Sequence, residues 1–483
     1  MPEISKPRKQ IGLAGYPMNK DPLRPIRIAW MVLIGAGATI YANSLSGPFI
    51  YDDEPSIVEN AALRHLWPPQ WLTQAWSPQQ GAHARIVVNF SLAVNYALGG
   101  TDVWSYHVLN IGVHILCALV LFGVVRLTLQ SNHLAQRYGP YATTLAATVA
   151  LIWMVHPLQT QCVNYILQRS ESMMALFYLT ALYCAIQMFE KDQARFWAVA
   201  SVLCCALGMA SKEVMVSAPV IILLYDRVFY GNSLRHILRQ RWRLYAGLGT
   251  TWLILIALLW KQPHQDSIGF SSPIGPWDYA KNQCLMIVTY LKKSIWPHPL
   301  ILDYGFPVPS LSFVEVAPYA TVLVVLALST ILALRSAPQL GFLGVWFFAI
   351  LGPTSSFVPI VNEVGAERRM YLPLAALVVL LAILGFEIVQ RLGSKTNSGL
   401  PQPKHRTRIT GLFMLSIATV LGCVTIRRNQ DYSTKSSIWQ TVLDSRPQSP
   451  RALNNLGFII LEESRFEEAI PYFQKAVEFK PDF

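Results

Sequence analysis

The sequence predicts an all-α fold, a polytopic membrane helical bundle followed by a short soluble helical segment. Three observations support this prediction. Of the 483 residues, 53% are hydrophobic and 14% are charged, whereas soluble domains usually carry roughly 25% charged residues. Apolar stretches long enough to cross a bilayer, which takes roughly 20 residues, recur from Arg27 to Arg427. After Arg428 the composition changes to that of a soluble, helical segment.

Hydropathy gives about eleven candidate spans. One further segment, Lys281 to Trp296, is ambiguous because it is short and carries Lys292 and Lys293 near its end. The candidate spans lie near residues 28–48, 104–129, 141–157, 172–189, 195–210, 214–230, 244–260, 316–334, 341–358, 370–390 and 409–426.

Charge in the loops orients these spans, because Lys and Arg concentrate on the cytoplasmic side. Two connections, 226–243 and 391–408, are strongly basic, as is the leader at 1–27. An even number of spans must separate connections on the same side. We therefore expect segment 281–296 to be an interfacial or re-entrant helix on the outer face. The N-terminus is then cytoplasmic, and the C-terminus is periplasmic or lumenal.

Three regions follow from these boundaries, namely the leader 1–27, a membrane domain at 28–427 and a terminal segment at 428–483. The membrane domain includes a long first outer loop, 48–102, which carries an acidic motif. Aromatic residues in this loop suit a membrane–water interface. They are Trp67, Trp71 and Trp76.

The terminal segment has the pattern of tetratricopeptide repeats, in which small residues allow close helix packing and a Pro ends the second helix. A spacing of 34 residues relates Trp439 to Phe473 and Pro447 to Pro481, so a half repeat precedes a full one. Fewer than about three repeats rarely fold alone. These helices therefore either dock on the membrane domain or belong to a longer array, and they offer a surface for a protein partner.

Ionisable residues concentrate at the predicted outer ends of the spans. Any one of them could be a solvated flank or an ion pair that locks helices together. Acids in the first outer loop and bases at the mouths of later spans together indicate a cavity that holds an anion beside a carboxylate. The residues are Asp52, Asp53, Glu54, Arg85, His107, His156, Arg169, Glu171, Lys212, Glu213, Glu367, Arg368 and Arg369.

The acidic run Asp52-Asp53-Glu54 directly follows the first span. Neighbouring carboxylates repel one another, which raises at least one pKa unless a cation or hydrogen-bond donor offsets the repulsion. Such a group can act as a general base, and solvated acids are the alternative. A divalent cation beside Asp52 and Asp53 also stays open.

Other polar patterns are less specific. One helix face carries His107, Asn110 and His114, which either hydrogen-bond other helices or take part in catalysis. His156 directly precedes Pro157 and is either an interfacial cap or a site residue. The formal net charge is +12, but the basic residues cluster in short loops, so we expect no nucleic-acid partner.

Several short polar stretches follow one another in a distinctive order. They are Tyr51-Asp52-Asp53 with Asn60, Val155 to Thr160, Asn164-Tyr165-Ile166, Arg169-Ser170-Glu171, Ser211-Lys212-Glu213 before Pro219, and Ala366-Glu367-Arg368 before Tyr371-Leu372-Pro373. With the terminal repeats, they resemble the bacterial relatives of the transmembrane and tetratricopeptide-repeat O-mannosyltransferases, within the wider GT-C group of glycosyltransferases. One departure is Gln161, where we expect an acid.

The resemblance implies a GT-C glycosyltransferase of the bacterial inner membrane. Its donor would be a sugar, expected to be mannose, on polyprenyl or dolichyl phosphate, and its acceptor a protein Ser or Thr hydroxyl on the outer face. The leaving lipid phosphate is an anion, so we assign Arg169, Lys212 and Arg368 to phosphate binding. Asp52 or Asp53 would accept the proton. The expected supporting residues are Glu54, Arg85, His107, His156, Glu171, Glu213, Glu367 and Arg369.

Two other functions stay open at this stage. A non-enzymatic scaffold would use the repeats to bind a partner, although one helix suffices to anchor it. A lipid-sugar transporter would favour polar residues at mid-membrane and internal repeats of the spans. Neither feature is clear in the sequence.

Overall fold

Helices make up the regular secondary structure that the computed structural model of this chain describes, which confirms the all-α prediction. The described residues are 21, 23–73, 85–131, 133–190, 194–231, 233–260, 274–394 and 403–481, with side chains placed except at 392–394 and 403–410. Most of the predicted leader, Trp76 and residues 395–402 of the second basic connection lie outside these ranges.

Long helices alternate with short helical turns. The helices of seven or more residues are Arg24–Ile40, Ile86–Gly99, Val103–Leu129, Ala142–Met154, Arg169–Glu190, Ala194–Met209, Ala218–Tyr230, Leu234–Gln240, Trp242–Trp260, Pro276–Ile295, Phe313–Ser336, Pro338–Leu351, Pro373–Ser394, Pro403–Gln430, Lys435–Ser445, Pro450–Glu462 and Phe466–Phe479. The turns that shape the site are Glu54–Val58, Pro157–Gln159, Thr160–Asn164, Ile166–Gln168, Glu213–Ser217 and Glu367–Met370.

The described residues contain seven helices long and apolar enough to cross a membrane, or up to nine if each of two bent pairs is one span. A polytopic helical membrane protein is thereby confirmed. The predicted spans at 195–210 and 341–358 form the shorter apolar helices Ala194–Met209 and Pro338–Leu351. The number of helices that meet the length criterion for a span is therefore lower than the eleven predicted. Pro276–Ile295, which covers all of the ambiguous segment except Trp296, is not among the long apolar helices.

The centre of the bundle is held by polar contacts between distant helices. The Trp153 indole donates to the Tyr371 carbonyl at 2.8 Å, and His114 Nδ1 lies 2.6 Å from the Tyr371 hydroxyl. His107 Nε2 lies 2.9 Å from the Gly47 carbonyl, and Asn110 donates to the Val163 carbonyl at 3.1 Å. The face shared by His107, Asn110 and His114 therefore ties helices together, as one of the two interpretations proposed.

Three asparagines join the ends of the first and last spans to a turn between them. Asn164 donates to the Asn429 side chain at 2.9 Å, and Asn429 donates to the Asn43 side chain at 2.8 Å. Asn43 in turn donates to the Ile426 carbonyl at 2.9 Å. This network fixes where the chain leaves the bundle and enters the terminal helices.

The terminal helices Lys435–Ser445, Pro450–Glu462 and Phe466–Phe479 pack on one another in chain order. A Cβ on Gly457 would approach the Phe473 ring within 2.9 Å, so this position requires glycine. This close packing fits the predicted repeat, whose assignment to the tetratricopeptide class stays a prediction. The helices also touch the first outer loop, because the Tyr51 and Trp439 rings meet edge to face at 5.2 Å.

The side of the membrane reached by each connection is directly testable. We expect a reporter inserted at 226–243 to be cytoplasmic, because this connection is strongly basic. A reporter fused after residue 481 should lie on the opposite side, as measured by labelling with a membrane-impermeant reagent. Labelling of both reporters on one side would mean that Pro276–Ile295 crosses the membrane.

Candidate active site

The turn after the first span directs two adjacent carboxylates in different directions. Tyr51 has a φ of 49°, a left-handed conformation that is uncommon for a bulky residue. Directly after it, the Asp52 side chain is exposed and the Asp53 side chain is fully buried. Backbone strain of this kind persists only where surrounding contacts enforce it.

Asp53 supplies those contacts. Its Oδ2 accepts the backbone N–H of Ile50 at 3.1 Å, and its Oδ1 accepts that of Leu167 at 2.7 Å. Burial raises the pKa of Asp53 to about 8, although the same N–H groups act in the opposite direction. Both oxygens are occupied and the side chain is inaccessible, so Asp53 cannot reach an acceptor hydroxyl. The geometry leaves Asp52 as the catalytic candidate.

Asp52 presents a carboxylate that a substrate can reach. Its backbone N–H donates to the Tyr165 hydroxyl at 3.2 Å. The protein surrounds the exposed carboxylate closely enough that desolvation raises its pKa, while Tyr165, Arg368 and Arg451 lower it and Glu363 raises it further. A reachable carboxylate with a raised pKa suits a general base.

Arg368 acts electrostatically on both Asp52 and Glu213. Its Nη2 donates to Glu363 at 2.6 Å, and its backbone N–H donates to Gln161 Oε1 at 2.8 Å. Burial acts to raise the pKa of Glu363, but Arg368 and Arg369 outweigh it and hold this pKa below its usual value. Gln161, where an acid is expected, thus orients the Arg368 backbone as a neutral acceptor.

A cluster of cations extends from Arg368. Arg85, Lys212 and Arg368 all interact electrostatically with the Glu213 carboxylate. Lys212 is buried and forms an ion pair with Glu171, and Arg85 donates to Ser170 Oγ at 3.3 Å. These three cations, Arg85, Lys212 and Arg368, lie among the carboxylates Glu171, Glu213 and Glu363, which hold them in place. Fixed guanidinium and ammonium groups of this kind suit the phosphate of a lipid donor.

Arg169, predicted to bind phosphate, lies elsewhere. Its side chain is fully buried. Its nitrogens donate to Asn110 Oδ1 at 2.6 Å, to Asn95 Oδ1 at 2.6 Å and to the Tyr106 carbonyl at 3.0 Å. A further donor reaches Ser91 Oγ at 3.3 Å. A guanidinium whose donors are taken by protein acceptors is not free to bind an anion, so we assign Arg169 a structural position.

Other predicted supporting residues also have structural positions. Glu367 is buried and accepts the Ile301 N–H at 2.6 Å. The buried Arg369 donates to the Thr354 carbonyl at 2.9 Å. His156 caps its own turn, since Nδ1 accepts the Leu158 N–H at 3.2 Å. These hydrogen bonds to the backbone give the three side chains a structural position at the ends of the spans.

Glu54 pairs outside the carboxylate cluster, with Lys435 of the terminal helices at 2.6 Å. Three charged residues near Tyr51 and Asp52 were not among the predicted site residues, namely Asp303, Glu363 and Arg451. Glu363 stands only four residues before Glu367 and could have been included with it. Asp303 and Arg451 carry no local signal, because their proximity arises only in the folded chain.

No group of three or more His, Cys, Asp or Glu side chains that could hold a metal ion occurs within the described ranges. Among the described side chains, Arg368 and Arg451 are the cations that act on the Asp52 carboxylate.

Comparison with known proteins gives relatives over nearly the whole chain, although no protein-family model matches. Protein O-mannosyl-transferase Tmtc3 of Drosophila melanogaster is 25% identical over 515 residues, which cover 92% of this chain and 54% of that protein. Protein O-mannosyl-transferase TMTC4 of Mus musculus is 24% identical over 494 residues, covering 90% and 64% respectively. The chain is a relative of the TMTC O-mannosyltransferases.

The chain spans about half the length of the curated TMTC3 relatives it matches. Two solved structures are also similar. ArnT from Cupriavidus metallidurans bound to undecaprenyl phosphate is 13% identical, with a TM-score of 0.45 over 95% of this chain and 76% of that one. The Archaeoglobus fulgidus oligosaccharyltransferase tethered with an acceptor peptide is 11% identical, with a TM-score of 0.48 over 94% and 59%.

The structural role assigned to Arg169 can be tested by measuring the stability of a variant. Arg169→Met leaves several buried acceptors without donors, and we expect a loss on the order of 2–5 kcal/mol of unfolding free energy. Thermal unfolding in detergent measures this loss, and Arg195→Met, at an exposed helix position, is the matched control. Unchanged stability with lost binding of polyprenyl phosphate would instead return Arg169 to the phosphate site.

Proposed function

We propose that this chain transfers a sugar from a polyprenyl-phosphate or dolichyl-phosphate donor to a protein Ser or Thr hydroxyl on the outer face of the membrane. The observation that carries the proposal is the pairing of a reachable carboxylate, Asp52, with a cationic region that begins at Arg368. The similarity to the TMTC proteins, which are named protein O-mannosyl-transferases, supports mannose as the sugar and a protein as the acceptor.

Asp52 serves as the general base in this proposal. The acceptor hydroxyl loses its proton to the Asp52 carboxylate as its oxygen attacks the anomeric carbon of the sugar. The new glycosidic bond forms on that carbon while its bond to the phosphate oxygen breaks. Direct displacement inverts the anomeric centre, and no covalent sugar–enzyme intermediate is needed.

Arg368 and Lys212 stabilise the departing phosphate. The lipid phosphate gains negative charge as the sugar leaves, and fixed cations placed where charge develops lower the barrier. Among the described residues, the Arg368 guanidinium forms one hydrogen bond, from Nη2 to Glu363. The remaining donors leave a side that can bind phosphate oxygens, and Arg suits such contacts geometrically.

Exposed apolar helices of the membrane domain can accommodate the donor's lipid chain. In Phe313–Ser336, Val316 is the only buried residue. Exposed apolar helix faces in a membrane protein lie against lipid. A polyprenyl chain can therefore remain in the bilayer while its phosphate reaches the polar cluster at the span ends.

The two adjacent carboxylates are predicted to behave differently when neutralised. Asp52→Asn keeps the shape of the side chain but cannot accept a proton, so we expect transfer to fall by about a hundredfold to ten-thousandfold. Binding of polyprenyl phosphate should be retained. The measurement is transfer of mannose from a polyprenyl-phosphate donor to a Ser/Thr peptide.

Asp53→Asn is the matched comparison. An amide can replace only one of the two Asp53 acceptors, so this change should chiefly lower the unfolding temperature. If Asp52→Asn kept full transfer while a well-folded Asp53→Asn protein lost it, the two assignments would have to be exchanged.

Arg368→Ala should weaken binding of polyprenyl phosphate and slow transfer, because it removes a positive charge next to the leaving group. The expected cost in transition-state stabilisation is on the order of 2–4 kcal/mol. Arg64→Ala, at an exposed position of the same outer loop, should leave both quantities unchanged. Equal transfer by the parent and the Arg368→Ala protein would show that the phosphate binds elsewhere.

A further inference from the structure

The terminal helices dock against the acidic turn itself. Lys435, at the start of the first terminal helix, pairs with Glu54 at 2.6 Å. One turn later, the Trp439 ring meets the Tyr51 ring at 5.2 Å. These contacts flank Asp52 on both sides in the sequence. The docked helices therefore form part of the surroundings in which Asp52 acts.

Arg451 adds a buried contact between the terminal helices and the membrane domain. The side chain comes from the second terminal helix, yet it is buried against the membrane domain. Nη1 donates to Asp303 Oδ1 at 2.7 Å, and Nη2 donates to the Asn362 carbonyl at 2.5 Å. Its guanidinium also lies 4.5 Å from the centre of the Phe306 ring. One side chain thus joins the 303–306 segment to the residue before Glu363.

Asp303 depends on this partner. Its carboxylate is buried, Oδ1 also accepts the Gly305 N–H at 3.0 Å, and Oδ2 has no hydrogen-bond partner among the described residues. Burial raises the pKa of Asp303, and the positive charge of Arg451 opposes that rise. Because a buried carboxylate without a cation is unfavourable, the local arrangement of this segment relies on the terminal helices.

We propose that Arg451 is a positioning residue of the active site, so that the terminal helices belong to the catalytic unit rather than serving only as a partner-binding appendage. Arg451 holds the Asn362–Glu363 segment, and Glu363 in turn orients Arg368 beside Asp52. This inference rests on the proposed sugar transfer. The simpler alternative is that Arg451 only neutralises Asp303 and has no effect on the reaction.

The pH dependence of transfer distinguishes between these two roles, because it reports the charge of Asp52. Transfer requires ionised Asp52, so it falls as the pH drops through the pKa of this carboxyl. Arg451 lowers that pKa, and its removal should shift the acid limb of the rate profile to higher pH. The groups that act on Asp52 from the packed elements are Tyr51, Asp53, Tyr165, Glu363, Arg368 and Arg451.

The experiment compares full-length parent protein with Arg451→Gln, Arg451→Lys and the double variant Arg451→Gln with Asp303→Asn. Each is assayed for thermal unfolding, polyprenyl-phosphate binding and mannose transfer to a Ser/Thr peptide across a range of pH. The double variant removes both buried charges with neutral side chains of similar shape, so it keeps the proposal testable if Arg451→Gln unfolds. Arg465→Gln, whose parent side chain pairs with Glu463 and Glu468 at the surface, is the control.

We expect the double variant to recover the unfolding temperature but to retain slow transfer, with the acid limb shifted to higher pH and with weaker polyprenyl-phosphate binding, because Arg368 is no longer held in position. Arg451→Lys should recover part of the transfer. Parental transfer and an unshifted profile in the folded double variant would overturn this inference alone. Absence of transfer by the parent protein would overturn the proposed function and this inference with it.

Discussion

The buried carboxylate of Asp53 is the contact on which the site depends. It accepts one backbone N–H from the acidic turn and one from the turn near Leu167, which lie far apart in the sequence. These two bonds stabilise the left-handed Tyr51 and place Asp52 at the surface next to Tyr165. The buried inner acid thereby positions the outer acid, which we propose as the general base. The two acids are chemically identical, but the fold gives them different surroundings.

Much of the membrane architecture could be predicted from the sequence, because the length and apolarity of a span are local properties. Each of the eleven predicted segments contains a helix, although some helices end before the predicted span does. The non-crossing interpretation of segment 281–296 remains a prediction. The shared face of His107, Asn110 and His114 was also recognisable from helical spacing. Its bonding to other segments illustrates how buried polar side chains specify helix packing.

Residue roles in the site were harder to predict, because they depend on partners brought together by folding. Arg169 and Arg368 both stand at predicted outer ends of spans, and sequence alone gives no reason to separate them. The amides of Asn95 and Asn110 saturate Arg169, whereas Glu363 leaves Arg368 partly available. Arg451 escaped prediction for the same reason, since repeat helices normally use such positions to stack on each other.

The most direct test of this account is an experimental structure of the protein with bound polyprenyl phosphate. The account predicts that the phosphate contacts the Arg368 guanidinium and lies on the Lys212 side of it, with the Asp52 carboxylate facing the position of the transferred sugar. A phosphate bound at Arg169, or on a face of the bundle remote from Asp52, would contradict the account.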